Sequence, residues 1–411
     1  MNGQAAPVPQ AERILSLDAI RGVAVLGILV MNIQSFALPS SAYLNPTALG
    51  PLAGAGWWVW LLSHLFADRK FISIFSMLFG AGVLLFTERA EARGAAPGPL
   101  HYRRMAWLLV FGLAHAYLLW YGDILVTYAL CGMLAFLFRK RPARALFITG
   151  LVALAFGSAI YLFFGWSMRF WPPASVANLL ETWRPAPDRL AWETELYRGG
   201  WLGQMAHRAP LAFFLQVPFL LMYELWRAGG LMLVGMALYK WGVLAGERPP
   251  GFYRRLLAGG LVAGLGLAAY GVYRNVAAGW DVRYSFFLGP QWNYWAGVLI
   301  ALAYIAAVVL ACRAWPASGL VRRLAAVGRM AFTNYLVHTL ICTTLFYGHG
   351  LGLYGRVGRP GQVAIVMAIW LLQLWYSPLW LARFRFGPFE WLWRSLTYGQ
   401  RLPNRLAAPQ R

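Results

Sequence analysis

His115 and Asp123 stand eight residues apart in the run HAYLLWYGD. An imidazole set beside a carboxylate can take a proton from a hydroxyl or an amine. Asp68, in the cluster Asp68-Arg69-Lys70, offers a second carboxylate to orient that base, and Lys70 a cation to hold an acceptor or a carbonyl oxygen. Arg21 and Asn32 are eleven residues apart, nearly three helical turns, so they share one face roughly 16 Å apart along the axis. Asp18 precedes Arg21 by one turn. Asn334 and His338, spaced i and i+4, also share a face. Arg103, Arg104 and Arg329 add guanidinium groups, whose fork geometry matches phosphate oxygens. Each of these has a packing alternative: a core histidine bonded to a carbonyl, a snorkelling anchor at a helix end, or interhelical hydrogen-bond glue. His64, His101, His207 and His349 are assigned no role, and no His/Asp/Glu grouping has metal-ligand spacing, so no metal is expected.

The elements that must carry these groups are membrane helices. The 411 residues are 60% hydrophobic and 12% charged, whereas a soluble domain has about a quarter of its residues charged. The excess of 36 Lys+Arg over 14 Asp+Glu sits in short clusters between apolar runs rather than along one basic face. That is the pattern of membrane insertion and excludes nucleic acid as a partner. Cys131, Cys312 and Cys342 have no paired spacing and read as small buried side chains.

With about 20 residues per crossing, the predicted spans are 22–38, 71–86, 105–121, 124–138, 145–166, 228–245, 256–273, 294–312, 325–347 and 363–382. The fold class is therefore all-α: a polytopic transmembrane helix bundle of about ten spans, with two extra interfacial or re-entrant helices at 56–66 and 209–223. Arginine clusters at 89–104, 139–144, 248–255 and 313–323 are expected inside, and 39–55, free of Lys and Arg, outside. This alternation puts both termini in the cytoplasm of a bacterial inner membrane. Residues 1–15 are expected to form a disordered tail, 16–383 the bundle, 167–208 an outer loop, and 384–411 an aromatic, basic interfacial tail that offers a surface for a homodimer.

Depth sorts the polar residues into two layers. Asp18, Arg21, Arg103, Arg104 and Arg329 gather near the inner face. Asn32, Asp68, Lys70, His115, Asp123 and His338 gather in the outer half, with Asn334 climbing toward the centre. Ionisable groups at such depth are costly and mark function by default. A cationic mouth below an acid–base layer is a geometry for moving a group across the membrane. A transporter or flippase for an amphiphile would use the same polar cavity without covalent chemistry.

The stretches SLDAIRGVAVLGILVMNI, AYLNP, KFISIFSMLFGAG, HAYLLWYGDIL, GRMAFTNYLVHTLICTTLFYG and FGPFEWLWRSLTYG together resemble the YeiB-like family of bacterial membrane proteins, from about Ser16 to Gly399. The first span also resembles the opening of the wider transmembrane acyltransferase superfamily, including the acyltransferase-3 and heparan-glucosaminide acetyltransferase types. The resemblance implies an acyltransferase-like part over about 16–166 and a family-specific part over about 209–383. It implies an acyl-CoA donor, acetyl-CoA in the simplest case, and an extracytoplasmic glycan or envelope acceptor. It places Arg21 and Asn32 in the site. Acyltransferase-3 proteins carry a catalytic histidine where this chain has Asn32, so the base must come from elsewhere, and His115 is the choice made from depth. At His338 the family more often has glutamine.

Overall fold

Prolines start many of the helices and glycines let them touch. The structure, a computed structural model, describes residues 14–406. Most of the tail expected at 1–15, and the last five residues of the one expected at 384–411, lie outside the described residues.

The chain begins with α1 (Leu15–Ala37), the short α2 (Ser41–Leu44), α3 (Gly54–Phe66) and α4 (Lys70–Ala92). Next come α5 (Pro97–Ala114), which continues into a π-turn at His115–Leu119, then α6 (Leu125–Leu137) and α7 (Ala143–Ser167). Two helices, α8 (Pro173–Trp183) and α9 (Pro187–Arg198), precede α10 (Met205–Gln216). A second π-turn, Leu220–Glu224, leads into α11 (Leu225–Lys240). The chain continues through α12 (Pro250–Ala277), α13 (Val282–Ser285), α14 (Gly289–Ala314), α15 (Gly319–Arg329), α16 (Ala331–Phe346), α17 (Arg359–Leu381) and α18 (Pro388–Tyr398). Proline occupies the first or second position of α5, α8, α9, α12, α14, α17 and α18, where its missing N–H costs nothing and its fixed φ suits the helix. No strand occurs among the described residues, only an isolated bridge between Phe384 and Arg405.

This is a helical membrane bundle. Seven helical stretches among the described residues are long and apolar enough to cross a bilayer, and α6 and α16 are shorter apolar helices. α1 is the enclosed axis, 72% buried over its apolar window, against 22% for the peripheral α12 and α17. Close crossings depend on glycine. A Cβ on Gly80 of α4 would strike the carbonyl of Met232, and one on Gly235 of α11 the carbonyl of Met77. Gly22 of α1 and Gly328 of α15 are pressed together in the same way. Without a hydrophobic driving force between helices in lipid, such backbone approach is what holds them.

The structure departs from the sequence reading in three places. The span expected at 325–347 is broken at Met330 into α15 and α16. The cause is distant in sequence: Glu390 of α18 accepts the N–H groups of Phe332 (2.7 Å) and Thr333 (3.0 Å), capping α16 from outside. The loop expected over 167–208 contains α8 and α9, and buries Trp183, Glu193, Tyr197 and Arg208. Finally, 56–66 and 209–223 are helical and apolar enough to join the spans that follow them, as Gly54–Ala92 and Met205–Lys240.

Candidate functional site

Three cavities adjoin one another along the bundle. At the end where α1 begins, a cavity of about 180 Å³ is walled by Asp18, Arg21, Arg89, Arg93, Arg104 and Arg394. It shares Arg21, Gly82, Arg104, Glu390, Trp393 and Arg394 with a middle cavity of about 180 Å³. Apart from that cationic end, the middle cavity is mainly apolar, with Val25, Ile28, Phe75, Leu78, Phe79 and Leu108 in its wall. Ile28, Ile124 and Tyr335 separate it from a third cavity of about 370 Å³. The third wall is aromatic and polar and carries Asn32, His64, Asp68, Asp123, Glu224 and Arg227.

Local structure aims these groups. Ala67, Asp68 and Arg69 form a three-residue break between α3 and α4, with Arg69 left-handed at φ 67°. A side-chain-bearing residue in that region is uncommon and signals a constrained backbone. The break is tied down by the N–H groups of Ala67 (2.8 Å) and Asp68 (2.9 Å), both donating to the Ser63 carbonyl. It leaves the Asp68 carboxylate 3.1 Å from His64 Nδ1 and accepting from Asn293 Nδ2 at 2.7 Å. His64 stacks on Trp60 at 5.2 Å, and Trp60 meets Trp280 edge-on at 5.3 Å. The second π-turn ends on Glu224, whose carboxylate makes no hydrogen bond to the side chain or backbone of another described residue and which lines the cavity. π-turns recur at functional sites because the extra residue redirects side chains. Arg227 is buried, donates to the Tyr294 carbonyl (3.1 Å) and to Ser73 Oγ (2.9 Å), and lies 4.4 Å over the Tyr294 ring. In the cationic end, Arg104 is held between the rings of Phe86 (4.6 Å) and Trp393 (4.4 Å), and Arg21 Nη1 pairs with Asp18 at 2.9 Å.

The His64 imidazole and the Asp68 and Glu224 carboxylates at one end, and guanidinium groups at the other, can respectively exchange protons with an acceptor and hold an anion.

Residues 238–400, taking in α12 to α18, match the family described as Protein of unknown function (DUF418). Over 398 residues the chain is 35% identical to Uncharacterized protein YeiB of Escherichia coli (strain K12), covering 94% of this chain and 96% of that protein. The chain belongs to the YeiB family. It is also similar to Uncharacterized protein YxaH of Bacillus subtilis (strain 168), 33% identical over 421 residues, covering 95% of this chain and 96% of that protein. No solved structure matches it.

In this YeiB-family chain the twelve residues singled out from sequence are not all gathered at the cavities. Asn32, Asp68 and Asp123 line the largest one. Arg21, Arg104 and Arg329 line the middle one, and Asp18, Arg21 and Arg104 the cationic end. The other five are elsewhere. His115 is shut into the packing between the first π-turn and α16: Nδ1 meets Asp123 at 2.8 Å and Nε2 meets Thr339 Oγ1 at 2.9 Å. With both nitrogens taken, it has none to offer an acceptor. Asp123 spends its other oxygen on the Val126 N–H (2.8 Å), capping α6. Lys70 is fully buried and donates to the His64 carbonyl and to Asn293 Oδ1. Asn334 bonds to Val327, Ser377 and Tyr376, closing the α15–α16 break. His338 Nε2 is bonded to Gln373 Oε1 at 2.9 Å. Arg103 is exposed and turns toward Gly399.

Sequence reasoning missed His64, Arg69, Glu224, Arg227 and Asn293. For His64 the signal existed, since His64 and Asp68 are spaced i and i+4. It was overlooked because 56–66 read as an interfacial piece.

Proposed function

We propose that this protein is a membrane-embedded acyltransferase that carries an acyl group from a phosphate-bearing donor of the acyl-CoA type to a hydroxyl or amine acceptor. The observation that carries this reading is the series of cavities: guanidinium groups at one end, an apolar middle, proton-exchanging groups at the other. Arg21, Arg104 and Arg394 hold the donor's phosphates, since charge-assisted bonds to a guanidinium fork are short and strong. The donor arm passes through the middle cavity and presents its thioester near Ile28, Ile124 and Tyr335. The acceptor occupies the largest cavity beside Asn32, Asp68 and Glu224. The resemblance of α1 to the opening of transmembrane acyltransferases supports the same chemistry. In this reading the cationic end faces the cytoplasm of a bacterial inner membrane, and the acceptor is an envelope glycan or similar component.

A transporter or flippase is the second reading, favoured by the apolar stretch between two polar chambers, which suits the passage of an amphiphile. The deciding experiment gives purified protein radiolabelled acetyl-CoA and longer acyl-CoAs with extracted envelope components. Covalent transfer of label supports the enzyme. Flux of an amphiphile across liposomes with no covalent product would replace it with the transporter.

A further inference from the structure

His64, the histidine in the wall of the largest cavity, combines a nitrogen held by a carboxylate with an open one. Its Nδ1 lies 3.1 Å from Asp68 Oδ2. A carboxylate there accepts, so Nδ1 carries the proton and Nε2 of the neutral ring has its lone pair bare. Nε2 has no partner among the described residues, and the ring lines the largest cavity. The histidine chosen from depth differs on each count: His115 has both nitrogens bonded and lines none of the three cavities.

The surroundings hold the ring still. His64 stacks on Trp60, and Asp68 is fixed by Asn293, which in turn accepts from Lys70. Lys70 also donates to the His64 carbonyl at 2.7 Å, so one buried ammonium fastens both ends of the pair. The left-handed Arg69 next to Asp68 is the kind of backbone constraint that clusters at working sites.

We propose that His64, oriented by Asp68, is the proton acceptor of this cavity and acts as general base on the acceptor, an inference that rests on the acyl-transfer reading for its chemistry. The acceptor's O–H or N–H proton passes to Nε2 as its lone pair attacks the thioester carbonyl, forming the new C–O or C–N bond. The tetrahedral intermediate collapses, the C–S bond breaks, and the departing thiolate takes the proton back from the imidazolium. Asp68 stays ionised and stabilises the imidazolium rather than accepting the proton.

Two measurements on the intact protein in nanodiscs test this. In the first, the wild type is treated with diethyl pyrocarbonate, which acylates unprotonated imidazole nitrogens, and modified peptides are followed by mass spectrometry. His64 should react well ahead of His115, and Asp68→Asn should change its rate. In the second, acyl-CoA turnover by monodisperse His64→Gln should fall by about 10²–10⁴-fold, with His64→Asn behaving alike and donor KM moving little. Turnover by His64→Gln at the wild-type rate overturns the assignment and leaves the acyl-transfer reading standing. A His64 that stays unmodified while His115 reacts overturns it whatever the turnover. A reactive His64 in a wild type that transfers nothing upholds it as the cavity's proton acceptor and removes the acyl-transfer reading.

Discussion

Replacing His115 by alanine removes a ring whose two nitrogens join three parts of the bundle: the π-turn after α5, Asp123 ahead of α6, and Thr339 on α16. The His115 and Asp123 side chains are 1% and 0% exposed, so the carboxylate left behind keeps only the Val126 N–H. Breaking a buried pair by removing one partner costs about 3–5 kcal/mol. At about 2–4 °C per kcal/mol for a large domain, the unfolding midpoint should drop by roughly 6–20 °C. The protein carries its own probe, because Cys131, Cys312 and Cys342 are free and buried. A thiol-reactive dye that fluoresces on coupling will report their exposure during a thermal ramp in detergent. Asp123→Asn in the same background should recover part of the loss, since the orphaned charge is gone. If His115→Ala unfolds within about 2 °C of wild type, less than the smallest cost reckoned above, the claim that His115 is a structural bridge fails.

Gly235→Leu should prevent assembly, because its first side-chain carbon already meets the Met77 carbonyl; Gly82→Ala, with nothing within 4 Å of the added carbon, should elute as wild type by gel filtration in detergent. Burial raises the pKa of the Glu390 carboxyl above its ordinary value, against the opposing hydrogen bonds from Thr333 and Phe332. The folded state therefore holds a proton that the unfolded chain releases, and this stabilisation is full below the ordinary glutamate range and lost as pH rises through the folded value. Midpoints measured across that window should fall with pH in wild type, and Glu390→Gln should lack this component of the slope. Arg21→Gln and Arg104→Gln should each weaken coenzyme A binding by about tenfold or more, as expected for a lost charge-assisted bond. Calorimetric titration at two salt concentrations checks this, with wild-type affinity also falling as salt rises.

Depth along a helix was legible in the sequence, and rotation about it was not. A rise of 1.5 Å per residue is enough to separate Arg21 and Arg104 from Asn32 and Asp68, and these pairs do line cavities at different levels. Lys70, Asn334 and His338 occupy suitable depths but turn into neighbouring helices, where they bond to Asn293, Ser377 and Gln373. Which face of an apolar helix meets a cavity depends on partners far away in sequence, and an all-apolar helix carries little amphipathic signal to reveal it. The break at Met330 escaped for a related reason, since the carboxylate that caps α16 belongs to a helix that starts more than fifty residues later. Arg69's left-handed backbone escaped too, because an arginine gives no warning of positive φ as a glycine would.

The most direct test of a transmembrane relay is sidedness. With the protein reconstituted in one orientation in liposomes, labelled acyl-CoA is confined to one compartment and the acceptor to the other. Transfer should occur only when the donor is on the side where α1 begins, and Tyr335→Trp, which adds bulk at the neck between the middle and largest cavities, should reduce it. Equal transfer from either side, or transfer requiring donor and acceptor in the same compartment, would contradict a relay through the three cavities.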